Sequence, residues 1–137
     1  MEFFKEIEDL KEEVKNLKRL LQRIVCPAEV VEVDEKLHRV RVKLLDRQGM
    51  ITGFLPVLVP AAKEFQVCSL PQVGDNVLVL FLPQGPEDGF VLGSFYHEQK
   101  PPPRKDHKKW FVHVPGEIEI VSDTHIVLKA PRIDLNP

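Results

Sequence analysis

Residues 71–103 read PQVGDNVLVLFLPQGPEDGFVLGSFYHEQKPPP, and the order of apolar and punctuating residues in this stretch decides the fold. Asn76 to Leu82 and Phe90 to Tyr96 are short apolar runs, separated by Pro83, Gly85, Pro86 and the pair Asp88-Gly89. Runs of that length with that punctuation read as strands rather than helix. Upstream, Arg39 to Leu45 alternates: Val40, Val42 and Leu44 share one face, while Arg39, Arg41 and Lys43 share the other. Val30 to Val33 precedes it across the polar turn Asp34 to His38, so the pair reads as a hairpin with one wet side.

Gly53 to Val59 supplies the remaining strand and is followed by a proline-bounded loop. Five short antiparallel strands in a row fit a small closed barrel such as the five-stranded OB-fold, which removes exposed edges by curling the sheet on itself. The barrel is assigned to residues 26–99.

On the amino-terminal side, Phe3, Ile7, Leu10, Val14, Leu17, Leu21 and Ile24 alternate spacings of four and three, an unbroken heptad seam that reads as helix over residues 3–24. With Ile7, Val14 and Leu21 at position a, Phe3, Leu10, Leu17 and Ile24 fall at d, Glu6 and Glu13 at g, and Lys11 and Lys18 at e. In a parallel assembly each g residue faces the e residue five places on in the neighbour, so Glu6 meets Lys11 and Glu13 meets Lys18. A helix docked on its own domain shows a wider apolar face than this stripe of two in seven. The spacing therefore predicts a self-associating coiled coil over residues 1–25, without selecting two strands or three. Pro27 stops the helix.

On the carboxy-terminal side, Pro101, Pro102 and Pro103 make a stiff spacer of roughly 9 Å, and residues 100–109 form a proline-rich and basic linker. The tail at 110–137, WFVHVPGEIEIVSDTHIVLKAPRIDLNP, repeats a pair of apolar residues two places apart, around a polar residue at Glu119 and Asp134. Ile118 with Ile120, Ile126 with Leu128 and Ile133 with Leu135 recur eight and then seven residues apart. Each unit is too small to bury its own apolar face, so the tail must pack against another copy of itself or against the barrel. A strand array wound with identical chains buries these pairs along a shared axis and leaves Glu117, Glu119 and Lys129 outside.

Composition narrows the function. The chain has 137 residues, 43% hydrophobic and 29% charged, a globular balance. Twelve prolines beside seven glycines argue against a helical bundle. The run Ile51 to Ala62 is broken by Gly53, Pro56 and Pro60, far short of the roughly 20 apolar residues that cross a bilayer. The start MEFFKEIEDLKEE is acidic where a signal peptide needs a basic and then an apolar region, so synthesis is expected to end in the cytosol. Formal charge is 0 over residues 1–25, −4 over 26–99 and +2 over 100–137. The acidic middle argues against a phosphate-binding surface. Cys26 and Cys68 lack metal-ligand spacing and read as small buried apolar residues.

The order of coiled coil, small barrel and short β-repeat resembles the phage baseplate assembly protein V family, the central spike of contractile tails, related to type VI secretion spike proteins. Residues 71–103 carry it most specifically: Val73, Gly74 and Asp75 lead into an apolar strand, Asp88 and Gly89 form an acidic turn, Leu92 and Gly93 close the next strand, and the proline run leads onward. HRVRVKLLD and FLPVLVP look like the family's earlier barrel strands. The resemblance implies a mainly β homotrimer, with OB-fold barrels at the baseplate hub beside tail-tube proteins. It also implies three tails intertwined as a β-helix or β-prism that pierces the target cell envelope when the sheath contracts. Its place would be the virion tail baseplate or an injection particle, assembled in the host cytoplasm. The tail carries no His-x-His pair of the kind that holds an apical metal in some members, so no metal or other cofactor is expected, and a blunt end at Pro137 suits a PAAR-type tip protein.

Chemistry is otherwise sparse. Ser69, Ser94 and Ser122 lack a glycine elbow, and the five histidines are scattered, so no catalytic residue is assigned and no enzyme is expected. Threefold symmetry would gather copies of His113 or His125, but both fall out of phase with the apolar positions. Two other readings exist: an OB-fold protein that stacks nucleic-acid bases on Phe54, Phe81, Phe90, Phe95 and Tyr96, against which the acidic barrel argues, and a non-phage scaffold that trimerises through its amino terminus. Arg104 to Lys109 is the basic cluster, read as a solvated connector.

Overall fold

The computed structural model describes residues 2–83 and 88–136. Residues 84–87, and Pro137, the expected blunt end, lie outside the described residues. Helix α1 spans Glu2–Ile24 and is followed by β1 (Val25–Asp34), β2 (Arg39–Leu44), β3 (Ile51–Pro56), β4 (Asn76–Phe81) and β5 (Gly89–Ser94). The chain divides into two compact units, Met1–Pro102 and Pro103–Pro137.

α1 runs without proline or glycine, with Glu2 in its first turn and Arg23 in its last, signs that suit the helix dipole. It ends at Ile24 because Pro27 disfavours the helical region for the residue before it. The strand then begins at Val25, five residues earlier than the alternation alone indicated. Pro27 is tolerated inside it for a geometric reason. Its carbonyl accepts the Leu45 N–H at 3.2 Å on the β2 side, where the β1–β2 ladder has already ended at Ala28 opposite Leu44. The missing proline N–H therefore faces the end of a ladder, and no bond to β4 is lost.

The five strands form one antiparallel sheet in the order β3-β2-β1-β4-β5. Alternation sends Val40, Val42 and Leu44 of β2 and Val77, Val79 and Phe81 of β4 to the concave side, where they meet Cys26, Ala28, Val30, Leu55, Val57 and Val91 in the core. Three of the ladders carry a register shift: in β1–β2 between Val30 and Glu32, in β2–β3 between Arg41 and Lys43, and in β4–β5 between Leu78 and Val79. Bulges add twist, and a sheet with one in each of three ladders curls. Its two edges meet at a parallel bridge between Val57 and Val91, where the Leu58 N–H donates to the Val91 carbonyl at 3.0 Å. The observed sheet is thus a curled, OB-like half-barrel whose edges touch at one bridge.

The β2–β3 bulge also explains the buried Thr52. Its hydroxyl accepts the Val42 N–H at 3.3 Å and donates to the Gly53 carbonyl at 2.8 Å, supplying a partner for a backbone group at the point where the ladder shifts. Cys26 is fully buried, whereas Cys68 is exposed in the connection between β3 and β4. The expectation of two buried cysteines fails at Cys68 because that connection runs over the surface rather than through the core.

Candidate interaction surfaces

The turn that leads into β4 is built by Val73, Gly74 and Asp75. Gly74 has φ of 96°, in the left-handed region that favours glycine. The Asp75 carboxylate accepts the Gln72 N–H at 2.8 Å and its own N–H donates to the Gln72 carbonyl at 3.0 Å, which closes the turn. The Gly74 N–H donates to the Val30 carbonyl and the Val30 N–H to the Asp75 carbonyl, both at 2.9 Å, so the turn hooks onto the middle of β1. Val73 itself is exposed.

The same corner receives the chain leaving β5. His97 and Lys100 exchange backbone hydrogen bonds of 3.2 and 3.0 Å, the Asn76 and His97 side chains meet, and Lys100 Nζ donates to the Gly74 carbonyl. The segment that runs into Pro101 is therefore fastened to the start of β4 rather than hanging from the end of β5.

Asp88 and Gly89 act at the other end of the hairpin. The Leu82 N–H donates to the Asp88 carbonyl at 2.7 Å. A Cβ on Gly89 would lie 2.8 Å from Phe81 Cδ1 and 3.1 Å from the Leu80 carbonyl oxygen, so the close approach of β4 and β5 requires glycine there. Gly93 pairs with Leu78 and Val91 with Val79, which leaves Leu92 as the extra, exposed residue of the bulge. Gly74, Asp75, Asp88, Gly89 and the bulge at Leu92 and Gly93 thus have backbone roles in shaping the curled sheet.

The aromatic residues do not form one stacking platform. Phe81 is buried, Phe54 lies on the outer face under the guanidinium groups of Arg41 and Arg39 at 4.7 and 5.4 Å, and Phe95 and Tyr96 are exposed. Asp34 binds Arg39 through a 2.7 Å contact across the β1–β2 turn, which holds its carboxyl below the usual carboxylate range. Burial raises the Cys26 thiol above its ordinary value, opposed by the charge of Arg47. Among the described residues no group of three or more His, Cys, Asp or Glu is placed to hold a metal ion.

Two surfaces lie open. On α1 no residue is buried: Phe3, Leu10, Val14, Leu17 and Leu21 of the seam are exposed, while Ile7 and Ile24 are half-buried. At the foot of the helix, Leu20, Arg23 and Ile24 line a cleft of about 330 Å³ with Arg47, Met50, Phe81, Leu82 and Pro83. The second surface is the tail. Every described residue from Pro103 onward is exposed, including Ile118, Ile120, Ile126, Leu128, Ile133 and Leu135, and no helix or strand forms there. His113 stacks on Phe111 with ring centroids 6.4 Å apart, and Arg104 covers the Phe111 ring at 4.5 Å.

Sequence reasoning singles out the motif residues, the seam and the tail pairs, of which the seam and the tail are largely exposed in the structure. It missed the anchoring of His97 and Lys100 on the turn at Gly74, for which no local pattern exists.

No curated protein matches the sequence. A family model described as the Type VI secretion system/phage-baseplate injector OB domain matches residues 26–96, just over half of the chain, and takes in all five strands except the first residue of β1 together with every motif residue from Val73 to Gly93. The curled five-stranded sheet and that match place the chain in the Type VI secretion system/phage-baseplate injector OB-domain family.

Proposed function

We propose that this protein is a structural subunit of the baseplate hub in a contractile phage tail or a related injection machine, and that it works as a homotrimeric spike. In this reading three barrels sit together at the hub against tail-tube proteins, residues 100–109 connect them to the spike, and residues 110–137 of three chains wind into a β-helix or β-prism. The rod pierces the target cell envelope as the sheath contracts, with a PAAR-type protein capping its tip. The site of action is the tail baseplate, and assembly takes place in the host cytoplasm.

The observation that carries this reading is the tail's lack of an interior. Twenty-seven described residues from Trp110 to Asn136 hold large apolar side chains in alternating pairs, all of them exposed. Their backbone forms no ladder within the chain among the described residues. Exposed apolar pairs and unpaired backbone groups are both satisfied at once when identical strands wind together. A rod so paired, with a dry interior, resists bending and unfolding under axial load. The role is mechanical rather than catalytic, and nucleic acid is not among the partners, since the segment holding the barrel is net acidic.

The test is the solution mass of the intact protein, in buffer and in detergent, repeated on a chain lacking residues 1–25. The expected result is three chains in every case, held by the tails. A monomer after truncation would favour a scaffold that trimerises through its amino terminus and would overturn the spike. Salt-sensitive micromolar binding to single-stranded nucleic acid in a filter assay would count against it equally.

A further inference from the structure

We infer that α1 is a registration clamp: a parallel coiled coil of the same helix from the sister chains that fixes the tails in register before they wind. The inference deepens the trimeric reading above and rests on it.

The problem that such a clamp solves is visible in the tail. The apolar pairs Ile118 with Ile120, Ile126 with Leu128 and Ile133 with Leu135 recur eight and seven residues apart. Sliding one chain by about one repeat still sets an apolar pair against an apolar pair, so staggered assemblies differ little in energy from the aligned one. Register is weakly specified in strands of this kind and must be set elsewhere. Winding is also slow, because every contact lies between chains and none rewards a single chain on its own.

α1 has the features that set register. Its seam is unpartnered in the chain, with Phe3, Leu10, Leu17 and Leu21 each more than half exposed. Among the described residues Glu6, Glu13, Lys11 and Lys18 form no ion pair. Neither Glu6 nor Glu13 has a basic residue three or four places away in its own helix, so those charges are not spent on intrahelical pairs. In a parallel in-register bundle Glu6 meets Lys11 and Glu13 meets Lys18 of the neighbour; an antiparallel bundle sets like charges together. Charge complementarity thus commits the seam to a second copy of α1 pointing the same way.

The joint to the barrel makes that alignment count. α1 ends at Ile24 and β1 begins at Val25 with no linker between them. Leu20 and Ile24 at the foot of the helix share a cleft with Met50, Phe81, Leu82 and Pro83. Helices held level therefore hold their barrels level, and the tails leave equivalent corners at Lys100. Once the helices join, the tails experience one another at the high effective concentration of a tethered segment.

The experiment refolds the full chain from denaturant at low concentration and follows recovery of the oligomer by sedimentation. The double variant Glu6→Lys/Glu13→Lys is expected to reassemble about ten-fold more slowly than the parent, since each neighbour contact turns from attractive to repulsive. The fourfold variant Glu6→Lys/Glu13→Lys/Lys11→Glu/Lys18→Glu restores the parallel pairs and is expected to recover the parental rate. Leu10→Cys, in a Cys68→Ser background, is expected to cross-link chain to chain on oxidation, because a d position meets its own equivalent only in a parallel aligned seam. A parental trimer that reassembles at an unchanged rate in the double variant, or that fails to cross-link at position 10, overturns the clamp and leaves the spike standing. A parental chain that is monomeric throughout overturns both.

Discussion

Val79 and Ile126 are both β-branched, both sit in short apolar runs, and their surroundings are opposite: Val79 is fully buried and Ile126 is 51% exposed. The difference lies in what each run can reach. β4 has six residues, β1 on one side and β5 on the other, so every second side chain enters a core closed by partners from elsewhere in the same chain. The tail runs are three residues long and separated by Gly, Pro or Asp-containing breaks, too short to bring another part of the chain alongside. Alternation assigns faces; burial needs a partner, and the two regions differ in whether one chain provides it.

A charge placed at each position separates the two regions most sharply. Val79→Asp puts an unpaired carboxylate into the core of the curled sheet, at a cost of several kcal/mol that exceeds what a small barrel can absorb, and the expected outcome is loss of the cooperative melt followed by circular dichroism. In a chain lacking residues 1–25, so that α1 cannot hold the copies together, Ile126→Asp should leave the melt of the barrel unchanged and, on the spike reading, destroy the oligomer, because one substitution introduces a charge from every chain into the proposed shared interior. An oligomer of that truncated chain that survives Ile126→Asp would return the tail to the status of an exposed segment, and the comparison would lose its second half.

The glycines give a milder version of the same contrast. At Gly89 a methyl group meets Phe81 at 2.8 Å, whereas at Gly116 in the tail nothing lies within 4 Å. Gly89→Ala is expected to destabilise the barrel by about 1–3 kcal/mol, the usual range for overpacking, and to recover part of that loss when combined with Phe81→Leu, since the two sites are in contact. Gly116→Ala should leave the barrel's denaturant midpoint where it was. Equal effects at both sites would mean that the β4–β5 approach does not depend on the missing side chain.

Much of the barrel is legible in the sequence because its signals are local. β2 alternates without interruption from Arg39 to Leu44, and its burial follows that pattern residue by residue. β4 was readable as a strand for another reason, the unbroken apolar run Val77 to Phe81 between punctuating residues, which did not show which face is buried. The start of β1 at Val25 was hidden because Pro27 reads as a stop; only the position of the β2 ladder, known from the fold, shows that its missing donor falls where none is needed. The bulge at Leu92 and the buried hydroxyl of Thr52 were equally hidden, since both depend on how strands that are distant in sequence come into register. At the candidate surfaces the motif residues Val73 to Asp75 were identifiable as a turn, but their hook on Val30, more than forty residues upstream, was not.

The smallest expected effect sits on the outer surface of the barrel, where the Asp34 and Arg39 side chains retain 23% and 36% of their exposure. The Arg39 guanidinium donates to the Asp34 carboxylate through Nη2 at 2.7 Å and Nε at 3.3 Å, and this bonding lowers the pKa of Asp34 in the folded chain. A carboxylate with a lowered folded pKa adds stability that is fully present above its unfolded pKa, about 3.9, and is lost as the pH falls through the lowered folded value. The unmodified barrel should therefore lose thermal stability more steeply below about pH 4 than Asp34→Asn does, while above about pH 5 the two melting curves should run at a constant offset. Because solvent screens the pair, that offset is small and shrinks further in high salt. Melting temperatures recorded for both proteins across the acid range decide it: parallel curves all the way down would mean that the ion pair closing the β1–β2 turn contributes nothing to the stability of the barrel.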